Sequence, residues 1–109
     1  MPQAVFVHEG ETIDHTPVAD LAAGEVVVQG ELVAVARTPV AAGKLGALAV
    51  GGVHDFTKAA GPAFTVGQLL YWDDAANVAT ATIATNKLIG KAVRAAAAAD
   101  TTVRIRMNQ

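Results

Sequence analysis

The chain has no cysteine, so neither a disulfide framework nor a thiolate metal site is open to it. Large side chains are scarce: one Trp, one Tyr and three Phe in 109 residues, an aromatic share of 5% beside a hydrophobic share of 52%. Much of the apolar content is alanine, which buries little area at about 25 cal/mol per Å². The core is therefore expected to be thin, with burial against further copies adding to stability. Basic residues form no cluster before Arg104 and Arg106 and the net charge is −2, which argues against a nucleic-acid binder. No apolar run approaches the roughly 18 residues of a membrane helix. The opening MPQAVFVHEG lacks the charged start and long apolar middle of a signal peptide. The chain reads as soluble and unexported, a single domain over residues 1–109 with a short arm at about 1–9, since domains most often hold about 100–150 residues.

What is present is a repeated turn phrase: an apolar residue, two small or apolar residues, Gly, a polar residue and another apolar one. It occurs as LAAGEV from Leu21, VAAGKL from Val40 and FTVGQL from Phe64, each time leading into a strand-like run. The run LGALAVGGVHDFT at 45–57 is the longest of these, and its Gly51-Gly52 pair predicts a bulge or a corner where the chain passes between sheets. The β-branched runs at 25–29 and 31–37 flank Gly30 as a hairpin. Further strands are expected at 3–8, 12–16, 68–72, 77–84 and 88–93, where LIGKAV echoes LVAVA at 32–36. At 102–108 Val103, Ile105 and Met107 alternate with Arg104 and Arg106, placing the first set inward. Helical turns are allowed at 18–23 and in RAAAAAD at 94–100, both too short to be more. The pattern predicts an all-β barrel or sandwich.

The groups able to carry chemistry are few. His8, His15 and His54 come from separate segments with acids beside them, and neighbours on a strand face opposite ways, so neither Asp14-His15 nor His54-Asp55 presents a joint pair. Asp73-Asp74 lacks the twelve-residue calcium pattern and reads as turn chemistry. No nucleophile elbow or phosphate-cradling glycine loop occurs. Tyr71 and Trp72 could stack a ligand, but the two acids that follow would repel phosphate, which leaves core or interface packing. No cofactor and no catalytic residue is indicated.

Taken in order, several phrases resemble one family. They are GETIDHT at 10–16, AAGEVVV at 22–28, LVAVA at 32–36, AAG at 41–43 with GALAVGGV at 46–53, and Gly67 before LYWD at 70–73; LIGKAV at 88–93 and VRIRMN at 103–108 complete the set. The resemblance is to the capsid cement, or head decoration, proteins of tailed phages and prophages. It implies a small tulip-like β-barrel that assembles as a homotrimer on the outside of an expanded head, clamps the major capsid protein and resists DNA pressure. It also implies a virion location after synthesis in the host cytoplasm, and no enzyme activity. Candidate interface residues are Val5, Phe6, Val7 and His8 in the arm, with Phe56, Tyr71 and Trp72. Two rival readings are a ligand- or peptide-binding barrel of prophage origin presenting Phe56, Tyr71 and Trp72, and a metal-dependent enzyme using the histidines.

Overall fold

The structure is a computed structural model that describes residues 3–4 and 10–108. Among these are nine strands and no helix. Strands β1 (Thr12–His15), β2 (Glu25–Gln29), β3 (Leu32–Ala36) and β4 (Gly46–Ala49) form one antiparallel sheet in the order β1-β4-β3-β2. Strands β5 (Gly52–Thr57), β6 (Leu69–Asp73), β7 (Val78–Thr80), β8 (Lys87–Ala92) and β9 (Thr102–Met107) form a second in the order β5-β9-β8-β6-β7. The two pack as a sandwich. The chain changes sheets between β4 and β5, at Gly51-Gly52, so the predicted corner is where the molecule turns from one layer to the other.

The halves are wound alike. If β7 is set aside, β5-β9-β8-β6 follows the same path as β1-β4-β3-β2, and the echoing phrases LVAVA and LIGKAV fall on the equivalent strands β3 and β8. The repeated turn supplies the joints. Glu25, Lys44 and Gln68 each donate a backbone N–H to the carbonyl three residues earlier, and Gly24, Gly43 and Gly67 hold φ of 86°, 76° and 85°. A fourth turn is closed by the same span of bond, Asp100 N–H to Ala97 O, but has Ala99 at the glycine position without the positive φ, and so escapes a search for glycine. The turns dock in pairs through antiparallel bridges, Leu21 with Val40 and Phe64 with Ala96.

Burial explains the strand sequences. β9 alternates as its pattern predicts, with Val103, Ile105 and Met107 buried. β3 does not alternate because both its faces are covered. Val33 and Val35 join the main core with Leu70, Trp72, Ile89 and Ile105, while Ala34 and Ala36 join Leu48, Ile13 and Val27 in a smaller cluster on the other side. Both sheets are strongly curled. His15 on β1 and Gln29 on β2, at opposite margins, meet through Gln29 Nε2 and His15 Nδ1 at 2.6 Å. In a flat sheet they would stand three strand spacings apart, roughly 14 Å, beyond the reach of the two side chains. The second sheet brings its margins together at a parallel bridge between Lys58 and Ala79, where the Thr57 hydroxyl donates to the Asn77 carbonyl.

Some expectations give way. Residues 5–8 of the strand expected at 3–8 lie outside the described residues; β1 pairs with β4. The strand expected at 77–84 stops at Thr80, whose hydroxyl accepts the Thr82 N–H, and Ala84 turns left-handed. The alanine run is not helical: Asp100 caps the Ala97 N–H at 2.8 Å and the bridge to Phe64 fixes Ala96. Residues 18–23 form no helical turn either, but lead through Leu21 into the first glycine turn.

Candidate interaction surfaces

The predicted contact residues that the structure describes do not form one exposed surface. Val5, Phe6, Val7 and His8 lie outside the described residues. Phe56 and Trp72 belong to the chain's own core at 3% and 4% exposure, their rings 5.8 Å apart and tilted by 59°. They are internal packing and not surface anchors, because alternation along β5 and β6 turns both inward. Asp73 accepts the N–H groups of Ala75 and Ala76 and so does the turn chemistry expected of it, whereas Asp74 satisfies the Trp72 indole N–H at 3.1 Å. Tyr71, half-buried, faces the other way on β6.

The histidines do not converge. His15 is spent on Gln29, and His54 Nε2 accepts from Arg37 Nε at 3.1 Å. Arg37 also reaches the Gly51 carbonyl at 3.3 Å, so one guanidinium from the end of β3 ties down both the corner and the strand beyond it. Burial first, and then the Arg37 charge, hold the His54 pKa below its ordinary 6.5. Its Nδ1 is buried without a hydrogen-bond partner among the described residues. On the opposite face of β5, Asp55 takes two bonds from Arg104, at 3.0 and 3.3 Å. That hydrogen bonding, reinforced by the charges of Arg104 and Arg94, lowers the Asp55 pKa against a smaller opposing effect of burial. Among the described residues no three His, Asp or Glu side chains gather as a metal set. A hollow of about 760 Å³ among the described residues runs from Val26 and Val28 past His54, Phe56 and Trp72 to Asp74. Of its polar members, Asp55, Asp74 and Thr57 already have partners within the fold, while His54 keeps its Nδ1 unpartnered among the described residues.

Sequence reasoning overlooked Lys58. It is 3% exposed, and its ammonium donates to the carbonyls of Ala59, Ala98 and Asp100 at 3.0, 3.3 and 3.2 Å and lies 5.5 Å from the Phe64 ring centroid. A lysine after a strand gives no sign that its neighbour's carbonyl and two more from a distant turn will enclose it. Lys87 is a second tie, joining β8 to Glu31 at the β2–β3 tip at 2.9 Å.

Fold and surface thus define a small all-β module whose exposed chemistry is ion pairs and turn caps. A family model of phage cement proteins matches residues 7–107, and the chain belongs to that family. Comparison with curated proteins and with solved structures gave no match. As a phage cement protein it is a structural, capsid-associated component of the virion.

Proposed function

We propose that this chain binds the outer surface of an expanded phage head, as a homotrimer contacting the major capsid protein, and stabilises the shell against the pressure of packaged DNA. The family match over residues 7–107 carries this reading. The fold agrees with it physically. A cement needs contact area and several simultaneous attachments, whose joint avidity far exceeds each alone, and it needs no cleft. The chain would be made in the host cytoplasm and act on the virion, as one β domain with an arm at about 1–9.

The arm is the proposed grip on the shell, with Val5, Phe6, Val7 and His8 as its contacts, because a segment outside the core can drape over a neighbour at little cost in stability. The test is addition of purified protein to expanded and unexpanded heads lacking it. Expanded heads alone should take it up, and should then survive heating that bursts bare ones. Deletion of residues 1–9 should abolish uptake and leave the association between copies unchanged. Equal uptake by both head forms would sink the reading.

A further inference from the structure

Of the seven large apolar side chains exposed among the described residues, four gather on one surface and two on another. On the first surface, Val53, Arg106, Lys91 and Leu69 stand directly opposite one another on β5, β9, β8 and β6. Residues directly opposite share a face, so they form one row across the outside of the second sheet. Val66 and Val93 border a hollow of about 420 Å³ that Lys91 and Arg106 also line. Neither cation has a carboxylate partner among the described residues, and like charges directly opposite destabilise a sheet. Two residues along β9, Arg104 faces Asp55 in a satisfied pair. The row therefore keeps two repelling cations beside bare valine and leucine, a local loss of the kind that marks a functional surface.

The complementary surface is on the other half. Val18 is wholly exposed and Leu45 71% exposed, and the carbonyl of Pro17 accepts the Gly43 N–H, which brings their two segments together. Asp14 stands opposite Ala47 on β1, and Asp20 reaches the Ala42 N–H, so two carboxylates accompany two bare apolar side chains. Overall charge divides the same way: residues 1–50 carry six acids and two cations, residues 51–109 four acids and six cations.

We infer that copies of this chain associate head to tail, the Arg106–Lys91 row of one copy seated against the Val18–Leu45 surface of the next. Two different patches make the contact heterologous, and such a contact closes into a ring where its rotation allows. This deepens the oligomeric part of the reading above and rests on it for its setting.

Sedimentation velocity on the full chain tests it. The wild type should associate at low salt and fall apart as salt screens the charges. Lys91→Glu places opposite charges where like ones stood. It should raise the melting temperature yet weaken self-association about tenfold or more. Asp14→Lys with Asp20→Lys should weaken it likewise, and a mixture of the two variants should associate where neither does alone. Trp72 fluorescence checks that each variant is folded; if the double variant is not, Asp14→Lys alone replaces it. A wild type that stays monomeric at low salt, or variants that associate like wild type, would overturn the inference. Uptake by expanded heads is scored separately. Copies that associate as described but ignore heads keep this inference and defeat the reading above, whereas copies that bind heads as monomers defeat this inference together with the trimer of that reading and leave its head binding standing.

Discussion

Two glycines, Gly67 in the turn before β6 and Gly90 within β8, are glycine for different reasons. Gly67 has φ 85°, and a Cβ added there would meet nothing within 4 Å. Gly67→Ala should therefore cost only the left-handed penalty, about 1–2 kcal/mol. At Gly90 the added Cβ would lie 1.9 Å from the Arg106 carbonyl oxygen, a backbone atom that no rotamer change can clear. Gly90→Ala should cost at least about 3 kcal/mol, by deforming β8 or β9. Urea unfolding of the two variants checks the contrast, and equal losses would refute the steric account. Gly67 was legible because its phrase recurs, whereas the reason for Gly90 lies on another strand. The same holds for Lys58. Lys58→Met should lose about 1–3 kcal/mol, because carbonyls that met an ammonium would face a thioether; the same unfolding measurement reads it.

At the scale of elements, the corner between β4 and β5 depends on protonation. Arg37 donates to His54 Nε2, which can accept only while the imidazole is neutral. Folding depresses the His54 pKa, so below 6.5 the unfolded chain binds this proton more readily than the folded one. The contribution of His54 is accordingly complete above 6.5 and is lost as pH falls from there through the depressed folded value. The urea midpoint should drop across that window, and His54→Phe should flatten the drop; an unchanged slope would exclude the corner as its source. Asp55, also depressed, contributes above 3.8 and is lost only at lower pH, which separates the two transitions. Strand positions, the corner and three of the four turns were legible because each rests on local chemistry: β-branched runs, paired glycines, a repeated phrase. The curl of each sheet was not, because it depends on pairs such as His15 with Gln29 and Lys58 with Ala79.

For the whole molecule, register separates residues that the sequence presents as equals. Arg104 and Arg106 alternate identically, yet one faces Asp55 and the other Lys91, so one is neutralised within the fold and the other has no carboxylate partner among the described residues. Phe56 and Trp72 looked like contact residues because large aromatics are rare here; the same rarity makes them what a thin core requires. A one-way dissociation follows. Removing residues 1–9 should abolish uptake by heads and spare self-association, whereas Lys91→Glu should weaken self-association in solution and, with the avidity of the assembled copies, uptake as well. Light scattering and head cosedimentation on both variants would show it, and loss of self-association in the deletion would undo the division of labour.

The meeting of Lys58 with Ala79 has one more effect. Where the outer strands of a layer meet, the backbone groups of that meeting are withdrawn from any foreign strand, and the open edge is shorter. Copies held close together should accordingly be less prone to zip into fibres along this layer, and any adhesion through it that rests on charged side chains should loosen as ionic strength rises and return as it falls.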